Sequence, residues 1–169
     1  SADLLQLERS TGNIVPSATK SYQIGNEDDI RSAIYHKGDL YTTGKNDLSY
    51  LYGIVINRYM RQSVARLDPG GSPVWDLLGS VPITTRSILV GQDILVDHDT
   101  LVSISSGNDQ TNSTTTTNLF LQKTTLNGQL VWLKKYDVTG FNSATETAKE
   151  IVSVSDGYVI LGKNGGGTD

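Results

Sequence analysis

The chain has 169 residues, with 14 Lys+Arg against 18 Asp+Glu and a net charge of −4, enough length for about one domain with a real core. A mildly acidic chain with no basic block excludes nucleic acid, whose phosphates need clustered Lys and Arg, and the absence of Cys excludes disulfides, thiolate nucleophiles and Cys-ligated metals. No run approaches the roughly 18 apolar residues of a membrane-inserted helix, and Ser1-Ala2-Asp3 does not read as a signal peptide.

Taken in chain order, the expected elements repeat. A first hairpin is expected around Gly12, where Leu5 to Val15 reads as strand, turn, strand, and a second ends in Asp39 to Asn46 after the turn Lys37-Gly38. A long connection, 46–62, follows and contains Leu51 to Ile56, which is expected to extend a strand outward. Val64 to Trp75 repeats the first hairpin around Gly71, and Thr100 to Asn108 repeats the second after Asp97-His98-Asp99. The polar run 108–117, with four consecutive threonines from Thr114 to Thr117, is expected to be a mobile loop, because it offers little apolar surface to bury. Leu121 to Trp132 repeats the first hairpin once more, around Gly128. Ser143 to Ile151 is expected as a loop or single turn leading into a strand, and Gly157 to Asn164 closes the last unit.

Gly12, Gly71 and Gly128 are each followed three positions later by Val15, Val74 and Val131. These glycines are expected at positive φ in the turns. Gly44, Gly107 and Gly162 recur with a similar period inside the later strands. Alternation in Leu101 to Ser105 and Ile151 to Ser155, with Val, Ile and Tyr at the apolar positions, makes the unit β. The reading is a single all-β domain, 1–169, of three four-stranded repeats at about 3–46, 62–108 and 118–164.

The stretch Phe120 to Tyr136, with Ala148 to Val152 and Ser155 to Gly162, resembles one blade of a bacterial β-propeller. It is similar to the repeat of large secreted or surface proteins of Bacteroidetes-type bacteria, related to quinoprotein-like blades that end in a Gly-x-x-x-Trp docking motif. Gly128 to Trp132 and Gly71 to Trp75 carry that motif, whereas Pro16 stands at the matching place in the first unit. The resemblance implies consecutive propeller blades, with Trp75 and Trp132 packed between neighbouring sheets. Three blades are fewer than the usual four to eight of a closed ring, so a partial ring, or one closed between chains, is expected. A β-trefoil of three four-stranded units is the alternative.

No constellation for catalysis is present. His36 and His98 fall at hairpin turns and are expected to share a repeat position, and no Gly-x-Ser-x-Gly, phosphate-loop or His-Glu-x-x-His pattern occurs. Carboxylates cluster at Glu27-Asp28-Asp29 and at Asp93, Asp97 and Asp99. Neither cluster has the spacing of a calcium loop, so they are expected as solvated loop acids, with Asp97 and Asp99 as weak metal candidates. Tyr52 and Tyr59, in the unmatched connection, are expected to pack in the core or at a sheet edge, with an exposed contact as the functional alternative. Asn112-Ser113-Thr114 is a glycosylation sequon, and Asp99-Thr100-Leu101 is similar to the Asp-Thr-aliphatic motif that Bacteroidetes-type bacteria O-glycosylate. The function expected is a non-enzymatic binding or scaffolding module, without cofactor, at the bacterial cell surface or outside the cell. Its partner would be a protein or further blades, with a carbohydrate-binding lectin as the alternative.

Overall fold

The computed structural model describes residues 2–4, 7–15, 20–22, 27–47, 50–52, 55–57, 60–78, 88–108, 117–136 and 146–164, with the short strands and several strand ends described as backbone alone. The polar run, the glycosylation sequon, Pro16, Tyr59, the side chain of Tyr52 and the C-terminal tail lie outside them. Strands are β1 (Ala2–Leu4), β2 (Lys20–Tyr22), β3 (Glu27–His36), β4 (Asp39–Asp47), β5 (Tyr50–Tyr52), β6 (Val55–Asn57) and β7 (Met60–Leu67). They continue with β8 (Pro73–Leu78), β9 (Ile88–Asp97), β10 (Thr100–Asn108), β11 (Asn118–Thr125), β12 (Leu130–Tyr136), β13 (Glu146–Val154) and β14 (Gly157–Asn164). The described residues contain no helix.

Antiparallel pairing builds one four-stranded sheet from β3, β4, β7 and β8 and another from β9, β10, β11 and β12. The two touch along one rim, where Met60 of β7 and Ile88 of β9 pair in parallel. β13 and β14 form a two-stranded sheet. The sheets therefore join the second hairpin of one sequence repeat to the first hairpin of the next. In the connection 46–62, Leu51 to Ile56 spans a small hairpin of its own, β5 with β6.

The local geometry explains the repeated residues. Gly12, Gly71 and Gly128 take φ of 72°, 80° and 83°. At Gly71 and Gly128 the loop is a turn closed by a left-handed residue: the N–H of Gly71 donates to Asp68 O and that of Gly128 to Thr125 O. The side chain before each turn, Asp68 or Thr125, accepts from the backbone N–H of Ser72 or Gln129. The Gly12 loop is one residue longer, with the Gly12 N–H donating to Glu8 O.

Two kinds of β-bulge recur. In the outer hairpins Val74 and Val131 are the extra residues, and both are half exposed, so these valines are re-aiming devices that turn the following Trp inward, and they contribute nothing to the core. In the inner hairpins Arg31, Gln92 and Lys149 are the extra residues. Opposite them stand Gly44, Ser105 and Gly162. A Cβ at Gly44 would lie 1.7 Å from Asp29 O, and one at Gly162 would lie 2.8 Å from Thr147 O. Backbone crowding at the bulge thus selects glycine. The position belongs to Ser105 in the middle hairpin, so Gly107, two residues further on, is not the equivalent of Gly44 and Gly162 as its spacing suggested.

The sheets stack face to face. Ile34, Tyr41, Val64 and Trp75 of the first pack on Ile94, Val96, Leu101 and Leu126 of the second. Leu95, Val102, Ile104 and Leu121 of the second pack on Ala148, Ile151, Tyr158 and Ile160 of the third. A middle strand such as Leu101-Val102-Ser103-Ile104 is therefore buried on both faces, which is why its apolar residues run on with little alternation. Where the first two sheets meet, Gly91 lies so close to Thr43 and Gly44 that a Cβ there would come within 2.2 Å of Thr43 Oγ1.

Candidate functional site

The polar groups with the most specific geometry lie between the sheets, and they begin with two acids expected in solvated loops. Asp93 sits inside β9, beside the Gln92 bulge. Its Oδ1 accepts from Ser32 Oγ of the first sheet at 2.6 Å and from its own neighbour, the Ile94 N–H, at 2.9 Å. Its Oδ2 accepts from the Ile151 N–H of the third sheet at 3.0 Å. One carboxylate thus ties the first strands of all three sheets together. A half-buried acid is tolerated there because each oxygen is hydrogen-bonded.

Asp97 ends the same strand. Its Oδ2 accepts from Lys123 Nζ at 2.7 Å and from the Tyr158 hydroxyl, and its Oδ1 meets His98 Nδ1 at 2.7 Å. Lys123 Nζ also lies 3.3 Å from the Tyr158 oxygen. The Lys123 ammonium, the Tyr158 hydroxyl and His98 hold the Asp97 carboxyl well below the usual carboxylate range. The same contacts raise Lys123, chiefly through Asp97, while burial is the main cause of the raised Tyr158 phenol. Lys123 reaches from β11 and Tyr158 from β14, so this cluster fastens the third sheet onto the second.

Lys123 and Arg66 occupy the same position in successive sheets, 57 residues apart. Arg66 pairs with Asp39, at 3.0 Å, at the start of the neighbouring strand, whereas the acid for Lys123 stands at the end of β9. The cation keeps its place and its partner changes strand. Asp99, the remaining acid of that group, is exposed on the turn and pairs with Lys37 of the preceding sheet's turn at 2.8 Å.

These contacts correct the expectation of solvated loop acids for Asp93 and Asp97. Asp97 and Asp99 answer to different cations and do not converge. Among the described residues no group of three or more His, Asp or Glu is placed to hold a metal ion. Asp29, in the other acidic cluster, lies in β3 and pairs with the bulged Arg31 at 2.9 Å.

The histidines are one register apart. His36 ends β3, its Nε2 buried without a partner among the described residues, while His98 lies in the turn itself at φ 56° with a 94% exposed side chain. Lys37 is the turn residue that matches His98, at φ 51°.

Trp75 projects from β8 onto the next sheet. Its Nε1–H donates to Leu126 O at 3.1 Å, and its ring covers Gly128 so closely that a Cβ there would lie 2.8 Å from the indole. Tyr41 supports it from behind, ring to ring at 6.2 Å. Trp132, at the equivalent position, packs at the edge of the core shared with Ala148 and Ile151, and Lys134 Nζ lies 5.9 Å from its ring. No acceptor for its indole N–H occurs among the described residues. Gly128 thus serves twice, as a left-handed turn residue and as the floor under Trp75; the first role was legible in the spacing and the second was not.

No protein-family model matches the chain, and no curated protein matches it.

Proposed function

We propose that the chain is a non-enzymatic scaffolding or binding module of β-propeller type, a run of consecutive blades from a secreted or cell-surface bacterial protein, whose partner is a protein or further blades. The observation that carries this reading is the translation of one interface. The face of the second sheet that covers the third (Leu95, Val102, Ile104) matches, residue for residue along the repeat, the face of the first that covers the second (Ile34, Tyr41, Thr43). The polar groups at the junctions hold sheet to sheet: Asp93 bonds Ser32 and Ile151, and the Asp97 carboxylate accepts from Lys123 and Tyr158. Trp75 and Tyr158 are likewise committed to contacts between sheets. The surface location rests on the resemblance of the repeat and on the motif Asp99-Thr100-Leu101, of which Asp99 lies on an exposed turn and Thr100 and Leu101 open β10.

Native-state hydrogen exchange tests the reading. The expected pattern is slow exchange in β9, β10 and β11, and fast exchange along β14, which among the described residues pairs with β13 alone. Uniform protection would mean that the last sheet needs no partner and would remove the module reading. The lectin alternative predicts heat on titration with a sugar panel at millimolar concentration, and the module reading predicts none.

A further inference from the structure

The chain holds two Asn-Gly pairs, Asn127-Gly128 and Asn164-Gly165. Such a pair is prone to lose the Asn side-chain amide, because glycine has no side chain to keep its backbone nitrogen away from the neighbouring amide carbon. The first pair sits in the turn between β11 and β12, where Asn127 is exposed to water and base. The turn does not itself call for Asn: at the matching turns Gly70 and Thr11 precede Gly71 and Gly12.

The nitrogen that would react is held from several sides. The Gly128 N–H donates to Thr125 O at 3.0 Å, and the Thr125 N–H donates to Gln129 O at 2.8 Å, closing the turn. The Gln129 N–H adds a bond to Thr125 Oγ1 at 3.0 Å. Trp75 of the first sheet lies over the turn, its indole so near Gly128 that a Cβ there would meet it at 2.8 Å, and its Nε1–H donates to Leu126 O at 3.1 Å. Leu126 packs in the core that the first two sheets share. An amide nitrogen attacks only after giving up its proton, and this proton is bonded to Thr125 O. Closing a ring on that nitrogen also draws the Asn127-Gly128 peptide out of its place in the turn, where Trp75 holds it.

We propose that Asn127 is a latent deamidation site gated by the junction of the first and second sheets, inert while Trp75 is docked and reactive when the junction opens. In the open state the Gly128 nitrogen, its proton taken by base in water, attacks Asn127 Cγ. A C–N bond forms, the side-chain nitrogen leaves as ammonia, and water opens the cyclic imide to aspartate or isoaspartate. Isoaspartate puts an extra carbon into the main chain before Gly128 and a carboxylate in place of the amide. Gly128 then leaves the φ of 83° and the bond to Thr125 O that the turn requires, and the floor under Trp75 is displaced. The junction thus keeps a covalent record of having opened, written at the rate of the free peptide multiplied by the open fraction. Neither step depends on the module reading above.

The full chain and its Trp75→Ala and Trp75→Phe variants are held in mildly alkaline buffer, and peptide mapping follows amide loss at Asn127 with Asn164 of the same chain as the reference. In the native chain Asn127 is expected to react at least about a hundredfold more slowly than in the urea-unfolded chain. Trp75→Ala, with its β circular dichroism retained, is expected to recover about tenfold of that, and Trp75→Phe, which keeps a ring and loses the bond to Leu126 O, to fall between. The purified isoaspartate chain is expected to melt below the unmodified one and to exchange its Trp75 indole N–H faster. Should Trp75→Ala not fold, the unmodified sequence in a urea series below its midpoint decides, since amide loss at Asn127 must rise in step with exchange of the Gly128 N–H. Equal rates in the native and unfolded chains overturn the proposal. So does a native rate indifferent to Trp75→Ala or to urea, or an isoaspartate chain with an unchanged midpoint and a protected indole.

Discussion

The second sheet and the β13–β14 hairpin are written in the same pattern and live in different surroundings. Val102 and Ile104 lie under a neighbouring sheet, while Val159 and Leu161 at the same repeat positions face outward. The two Trp residues repeat the contrast. Trp75 has a turn of the next sheet beneath it, with a carbonyl for its N–H and a glycine for its ring, whereas Trp132 packs at the edge of the core that holds Ala148 and Ile151. In a stacked repeat the local pattern says what a side chain is suited to touch, and the neighbour decides what it does touch.

The strongest way to break this contrast is at the inner bulge. Gly44→Ala would force a methyl against Asp29 O and is expected to cost more than about 3 kcal/mol in urea unfolding, while Gly157→Ala, with open space around it and an ordinary φ, is expected to change stability by less than about 0.5 kcal/mol. Next comes the pair of matched aliphatic positions. Ile104→Ala is expected to destabilise by about 2–5 kcal/mol and Leu161→Ala by under about 0.5 kcal/mol in dilute monomer. Equal losses would show that the outer face of β13–β14 is covered in the monomer after all.

The carboxylate between the second and third sheets gives a pH signature. Because the Asp97 carboxyl is lowered in the folded chain, its contribution is full above the unfolded value of about 4 and drains away as pH falls below it. Lys123 and Tyr158 are raised, so their contribution is full below about 10 and is lost as pH rises beyond the folded values. The melting temperature is therefore expected to be flat from about pH 5 to 9 and to fall on both sides. Asp97→Asn should lower the plateau by about 1–3 kcal/mol and flatten the acid limb. Trp75→Phe, which removes the bond to Leu126 O, is expected to cost about 1 kcal/mol, and Trp132→Phe measurably less. Smallest of all, Lys37→Ala breaks an exposed pair with Asp99 and should leave the melting midpoint unchanged within error at physiological salt.

Much of the fold was legible because turns and alternation are local. The glycines at 12, 71 and 128 could be read from their spacing, since a left-handed turn residue is chosen by its own backbone. The grouping of hairpins into sheets could not be read in that way. A four-strand period has no intrinsic starting point, and only the pairing of β4 with β7 and of β10 with β11 reveals where one sheet ends. The acids were the largest gap. Asp93 earns its place through Ser32 and Ile151, 61 and 58 positions away, and nothing in the residues flanking Asp93 hints at either. Lys123 carried a faint signal, since Arg66 repeats its charge 57 residues earlier.

The bulges at Arg31, Gln92 and Lys149 also act as index marks. A hairpin of nine or ten residues with apolar groups on both sides could slide by one pair at little cost in burial, but the slid arrangement would set Thr43 or Lys45, instead of Gly44, beneath the Asp29 carbonyl, and neither has room. Gly162 marks the last hairpin in the same manner. Ser105 leaves the middle hairpin with a weaker mark, and its hydroxyl is buried without a partner among the described residues. The hairpin least able to keep its own alignment is the one clamped by a neighbour on each side, so the order of assembly, ends before middle or middle before ends, decides how faithfully the whole stack is threaded.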